Sequence, residues 1–113
     1  MKKICIYCGS SNYADPKYQN LAFSIGQHFA KNNIGIVYGG GNIGLMGQVA
    51  NGALQEGGQV FGVIPHHLKE LELAHEGLTE LYITQSMHER KALMAHLSDG
   101  FIALPGGYGT LEE

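Results

Sequence analysis

The chain has 113 residues, 44% of them apolar and 15% charged, a balance that suits one globular domain and excludes a disordered tract. Its formal net charge of −3 gives no basic footprint for nucleic acid or an anionic membrane, so any phosphate must be recognised locally, by loops and one or two cations. No apolar run approaches the roughly 20 residues of a membrane span, and Met1-Lys2-Lys3-Ile4 leads into a strand rather than a signal peptide, which points to the cytoplasm.

Ile4-Cys5-Ile6-Tyr7-Cys8 predicts the first strand, and its near-continuous apolar run suits a parallel strand covered on both faces. Cys5 and Cys8 have C-x-x-C spacing, but residues three apart on a strand face opposite sides, which favours a structural role for both over redox or metal chemistry. After the polar loop Gly9-Ser10-Ser11-Asn12, Asp15 and Pro16 read as N-cap and first helical residue. Tyr18, Leu21, Ala22, Ile25 and Phe29 keep helical spacing to about Lys31, where Asn32-Asn33 end the helix. Ile34 to Tyr38 is the second strand. Gly39-Gly40-Gly41-Asn42-Ile43-Gly44 then opens a helix through Leu45, Met46, Val49, Ala50 and Leu54, stopped by Gly57-Gly58.

Val60 to Ile64 is the third strand, closed by Pro65. His66 to Thr79 is less regular, with a short helix expected around Leu68 to Leu73 and a short strand at Glu80 to Ile83. Ser86-Met87-His88-Glu89 is a capping box, starting a helix with Met87, Leu93, Met94 and Leu97 among its apolar positions. Asp99-Gly100 ends it, and Phe101 to Leu104 is a fourth long strand. Strand and helix alternate throughout, which argues for a three-layer α/β fold with a parallel sheet and right-handed crossovers. Residues 1–113 read as a single domain. Glu113 falls in the first turn of a helix, and the fourth strand would be an uncovered apolar edge. The expectation is therefore the N-terminal part of a longer chain, truncated at its C-terminus.

Glycine is the compositional outlier, 17 of 113, and the glycines gather in loops after strands. Pro105-Gly106-Gly107-Tyr108-Gly109-Thr110-Leu111-Glu112-Glu113 follows a strand and leads into a helix start. Backbone N–H groups of such a loop, with the positive end of a helix, suit a phosphate. A carboxylate one turn beyond would repel that phosphate, so its natural work is chemistry on whatever carries it. The loop lacks the Gly-Lys-Ser/Thr ending of a Walker A motif. Arg90 and Lys91 lie in the first turn of their helix, where cations oppose the macrodipole; they are either solvated side chains or cations awaiting an anion.

Gly39, Gly41 and Gly44 match G-x-G-x-x-G, but the following strand ends Val63-Ile64-Pro65-His66 with no acid until Glu70 to hold a ribose. A close helix–strand approach or a ribose-phosphate loop therefore fits better than an NAD(P) fingerprint. The six histidines include no H-E-x-x-H, His88 reads as a surface or supporting residue, and no serine sits in G-x-S-x-G.

Gly39-Gly40-Gly41-Asn42-Ile43-Gly44-Leu45-Met46-Gly47, Met87-His88-Glu89-Arg90-Lys91 and Pro105 to Glu113 together resemble the Lonely Guy family, the cytokinin riboside 5′-monophosphate phosphoribohydrolases often mislabelled as lysine decarboxylases. The resemblance runs in order over essentially the whole chain. It implies a Rossmann-like homodimer that hydrolyses the N-glycosidic bond of a nucleoside 5′-monophosphate, AMP or an N6-substituted AMP, to free base and ribose 5-phosphate. By that resemblance Arg90 and Glu113 are the catalytic pair and Gly106, Gly107, Gly109 and Thr110 hold the phosphate. Glu112 approaches the ribose, and Ser10, Gly40, Gly41, Met87 and Lys91 also line the pocket. Such chemistry requires no metal or redox cofactor, and Lys91 is in no recognisable pyridoxal-phosphate context. The competing readings are a nucleotide-binding module without catalysis, and an NAD(P)-dependent oxidoreductase that would bind a dinucleotide better than AMP.

Overall fold

Each apolar run of the sequence becomes a strand of one parallel sheet. The computed structural model describes residues 2–8 and 16–104. Its elements are β1 (Lys3–Tyr7), α1 (Pro16–Lys31), β2 (Gly35–Tyr38), α2 (Gly44–Gln55), β3 (Val60–Pro65), β4 (Glu80–Thr84), α3 (Met87–Leu97) and β5 (Gly100–Ala103). The strand order is β4-β3-β2-β1-β5, and every neighbouring pair is parallel. The predicted strands and the three long helices are present, shifted by a residue or so at their ends.

The period of two along each strand sorts side chains into two layers. Ile6, Ile36, Tyr38 and Val60 pack against Ala22 of α1 and Leu45, Val49 and Ala53 of α2. Cys5, Val37, Phe61 and Val63 pack against Met94 of α3 on the other face. Helices therefore cover both faces, which is why β2 and β3 are buried at every position. Cys5 and Cys8 fall in opposite layers, both buried, as a strand spacing of three requires. Among the described residues β4 and β5 are the outer strands, and Phe101 of β5 is 54% exposed on the edge expected to be uncovered.

The helix ends follow their local chemistry. Gly57 at φ +72° closes α2: its N–H donates to Leu54 O (3.0 Å), and Gly58 N–H donates to Ala53 O (2.9 Å), a Schellman ending that uses two orphan carbonyls. Ser86 caps α3 by accepting the Glu89 N–H (3.1 Å), while the Glu89 carboxylate accepts from Gln85 N–H (3.0 Å), one residue before the position a strict capping box would use. Asp15 lies outside the described residues.

The helix expected around Leu68 to Leu73 does not form. A single 3-10 turn, His66–Leu68, is followed by turns. The reason is competition for backbone. Asn42 N–H donates to Glu72 O (3.0 Å), Gly41 and Ala74 form an antiparallel bridge, and His75 N–H donates to Gly40 O (2.9 Å). Leu73, at φ +51°, turns the chain into these contacts. The β3–β4 connection is thus tied to the glycine turn after β2.

Chain direction across the sheet fixes where a ligand can sit. The chain steps outward from β1 through β2 and β3 to β4, and α3 then carries it back to β5 on the far side of β1. The reversal lies between β1 and β5, and open parallel sheets bind ligands beyond the strand carboxyl ends at such a point.

Candidate active site

The glycine turn is built by close packing. Tyr38, at the end of β2, is fully buried and its hydroxyl donates to Gly41 O (2.8 Å). Burial, with a smaller contribution from nearby Cys8, pushes this phenol well above its ordinary range, so it stays a neutral donor. Gly39 O accepts from Arg90 Nη2 (2.7 Å) and Gly40 O from His75 N–H (2.9 Å). All three glycine carbonyls are therefore taken by the protein. A Cβ on Gly39 would run into Arg90 Nη2 and stand 2.8 Å from Met46 Cε, and Gly40 has φ +80°. Of the sequence alternatives, close approach is what this turn displays.

Arg90 sits beneath that turn with its side chain 3% exposed. Its first-turn position on α3 points it at the carboxyl ends of β2 and β3. Nε–H donates to Val63 O (2.9 Å), and Nη2 donates both to Gly39 O and to Glu72 Oε1 (2.8 Å). Nη1 approaches Met87 Sδ at 3.8 Å. The anion partner that the helix-dipole argument anticipated is thus present for Arg90, and it is an internal carboxylate.

Glu72 was missed by sequence reasoning. Leu71 is 71% and Leu73 56% exposed, while Glu72 between them is 9%. No local signal identifies it, because the counter-charge that permits its burial lies on another element.

His75, from the same connection, is a second residue that the sequence did not mark. Gly77 N–H donates to its Nδ1 (2.9 Å), which places the ring proton on Nε2, shared with Asn51 Oδ1 at 2.7 Å. The ring lines an open cleft of about 730 Å³ with Asn42, Asn51, Lys69 and Glu70. Partial desolvation lowers its pKa from 6.5, opposed by Glu76. A lowered folded pKa means that the unfolded chain takes up the proton first as pH falls. Stability from this clasp is therefore complete above about pH 6.5 and declines below it. The urea midpoint is expected to drop as pH falls below about 6.5, and His75→Gln should flatten that part of the profile. Parallel profiles for the two proteins would contradict the clasp.

Of the sequence-predicted site residues, Arg90, Met87, Gly40 and Gly41 are brought together around the β2 turn, with Gly40 and Gly41 buried. Lys91 is exposed on α3, as is His88. Ser10, Gly106, Gly107, Gly109, Thr110, Glu112 and Glu113 lie outside the described residues. The strands that precede their segments are neighbours: Tyr7 pairs with Ala103, and Leu104 N–H donates to Tyr7 O (2.8 Å).

Strand order, helices on both faces and a reversal beside β1 define a Rossmann-like α/β domain. The chain belongs to the family described as "possible lysine decarboxylase", whose model matches residues 46–113, the same family as the Lonely Guy proteins. The cytokinin riboside 5′-monophosphate phosphoribohydrolase of Rhodococcoides fascians is 50% identical over 113 residues, covering 99% of this chain and 57% of that protein. The cytokinin riboside 5′-monophosphate phosphoribohydrolase LOG of Oryza sativa subsp. japonica is 48% identical, covering 99% of this chain and 46% of that protein. The chain thus spans about half the length of the curated relatives it matches. Among solved structures, the molybdenum cofactor carrier protein of Chlamydomonas reinhardtii matches with TM-score 0.83 at 21% identity, covering 99% of this chain and 67% of that one. That likeness concerns the fold alone.

Proposed function

We propose that the protein containing this chain hydrolyses the N-glycosidic bond of a nucleoside 5′-monophosphate, AMP or an N6-substituted AMP, to free base and ribose 5-phosphate. The observation that carries this reading is the 50% identity to the Rhodococcoides fascians phosphoribohydrolase over 99% of the chain, a match that includes both the Arg90 helix and the Pro105–Glu113 motif. The geometry supports it. Ser10 follows β1 in the chain and Pro105 follows β5, and those two strands are neighbours at the reversal. Arg90 is anchored at β2, one strand from β1 and two from β5, or about 5 and 10 Å across the sheet.

In this reading Gly106, Gly107, Gly109 and Thr110 cradle the phosphate, Glu112 meets the ribose, and Ser10, Gly40, Gly41, Met87 and Lys91 complete the pocket. Cleavage develops positive charge at the anomeric carbon. The Glu113 carboxylate stabilises that charge and orients or deprotonates the attacking water. Arg90 positions Glu113 or meets the substrate. Holding the phosphate, remote from the bond that breaks, supplies orientation worth several kcal/mol. The chain acts as a single nucleotide-binding domain within a longer protein, a cytoplasmic homodimer.

The test is chromatography of the full-length protein incubated with AMP and with isopentenyl-AMP. Free base and ribose 5-phosphate are expected from one or both. Glu113→Gln should lower turnover by about 10²- to 10⁴-fold. A folded Glu113→Gln protein with undiminished turnover removes Glu113 from the chemistry. AMP binding without base release would instead favour the non-catalytic module.

A further inference from the structure

We propose that His75 is a positioning residue for this reaction: its neutral ring clasps the β3–β4 connection to α2, and the clasp braces the main-chain contacts that fix Gly40 and Gly41, so that a proton on the ring releases the glycine turn. The kinetic side of this inference rests on the phosphoribohydrolase reading, which places Gly40 and Gly41 in the pocket; the geometry does not.

Three donors hold the three carbonyls of the turn. Arg90 Nη2 donates to Gly39 O, the Tyr38 hydroxyl to Gly41 O and His75 N–H to Gly40 O (2.9 Å). A guanidinium does not titrate at ordinary pH, and the Tyr38 phenol is held neutral by burial. The third tether differs, because it belongs to a residue whose own ring changes charge near neutrality. It also holds the most pliable point of the turn: Gly40 stands at φ +80°, in a region open to glycine, and keeps one conformation only where neighbours impose it.

A neutral imidazole has one donor and one acceptor, and here each is matched. Nδ1 accepts the Gly77 N–H (2.9 Å), and Nε2–H donates to Asn51 Oδ1 on α2 (2.7 Å). The ring thus ties α2 to a tight turn that starts one residue after Ala74, the bridge partner of Gly41. Gly77 lies so close that a Cβ there would stand 3.2 Å from His75 Cε1. An imidazolium has two donors and no acceptor. Its Nδ1–H would face the Gly77 N–H, so that half of the clasp must open, and the contacts at Ala74 and His75 N lose the brace behind them.

The surroundings set the direction of the response. The cleft around the ring brings Lys69, Glu70 and Glu76 from the connection itself, whereas α2 and residues 39–43 contribute no charged group. Partial desolvation keeps the ring neutral to lower pH than a free histidine, and Glu76 opposes this. The clasp is therefore closed at neutral pH and opens as pH falls below about 6.5.

In the full-length protein, kcat/KM for AMP is expected to fall on the acid side. The substrate phosphate titrates in the same range, so the ratio of variant to wild type is the quantity to read. His75→Asn sets an amide oxygen near the place of Nδ1, an acceptor for the N–H two residues on that carries no titrating group. Its kcat/KM relative to wild type should rise about fivefold between about pH 7.5 and pH 5. Glu76→Gln leaves desolvation unopposed and should move the His75 limb to lower pH. Nitrogen NMR of the imidazole should show the Nε2–H tautomer above pH 7, and protection of the His75 amide from hydrogen exchange should fall as the ring protonates, in wild type and not in His75→Asn. A ratio that stays constant with pH overturns the proposal, as does amide protection indifferent to the charge of the ring. Should His75→Asn not fold, Glu76→Gln decides: a limb that moves down in pH upholds the clasp, and one that stays or moves up refutes it. If wild type releases no base from any nucleoside monophosphate, the reaction reading has failed separately. Amide protection then decides, its loss with ring protonation upholding the clasp and its persistence refuting it.

Discussion

Replacing Gly52 by alanine is expected to destabilise the domain by about 3 kcal/mol or more, seen as a lower urea midpoint at unchanged slope. Helix propensity alone predicts the opposite sign, since alanine is favoured over glycine in a helix interior by about 1 kcal/mol. Tertiary contact decides between them. α1 and α2 cross backbone to backbone at Gly26 and Gly52, both buried between the helices. A Cβ on Gly52 would collide with Phe23 O and lie 2.9 Å from Phe23 C; one on Gly26 would collide with Val49 O and lie 2.9 Å from Ala53 N. These are backbone atoms, which cannot swing aside as a side chain tip can. The helices must separate, and that loosens the layer holding Val49, Ala53 and Ala22 against the sheet. Against a total stability of about 5–15 kcal/mol this is a large loss.

Gly57→Ala is the calibrating variant. Gly57 also has special geometry, φ +72°, but nothing lies within 4 Å of its Cβ position. It should cost about 1 kcal/mol from backbone strain alone. Gly26→Ala should resemble Gly52→Ala, and the double variant should cost less than their sum, because one separation of the helices relieves both collisions. A Gly52→Ala midpoint equal to wild type would contradict the crossing.

How far the sequence revealed the molecule depended on the range of each interaction. Caps, turns and strand patterns act within a few residues, so Pro16, Gly57-Gly58 and the Ser86 cap marked helix ends at or near their observed positions. Period-two alternation already implied that Cys5 and Cys8 would part to opposite layers. Strand order was hidden, because the pairing of β1 with β5 joins residues nearly a hundred positions apart. The connection after β3 misled for a related reason. A short helix was expected around Leu68 to Leu73, but hydrogen bonds to the glycine turn took its backbone and an arginine on α3 drew in Glu72. The glycine run was legible as a special backbone, and what it packs against was not. Arg90 stood out as a misplaced cation at a helix start, the local half of a pair whose other half is remote.

That pair gives the second large effect. Arg90→Met is expected to cost about 3–5 kcal/mol, because it strands the Glu72 carboxylate in a site where the pair is buried and deprives Val63 O and Gly39 O of their donor. Arg90→Lys should cost less but not recover the wild-type midpoint: an ammonium keeps the charge and loses the fork that reaches three segments at once. Arg90→Met combined with Glu72→Met removes both charges together, leaving two carbonyls and no buried ion. It should therefore be more stable than Arg90→Met alone, which in a double-mutant cycle means a coupling larger than the cost of Glu72→Met by itself. The same protein separates folding from chemistry. If the guanidinium serves only to hold the turn, restoring stability restores base release. If it acts at the substrate or on Glu113, the doubly apolar protein recovers part of its urea midpoint and still releases no base. An Arg90→Met protein as stable as wild type would show that the guanidinium does not occupy the position beneath Gly39.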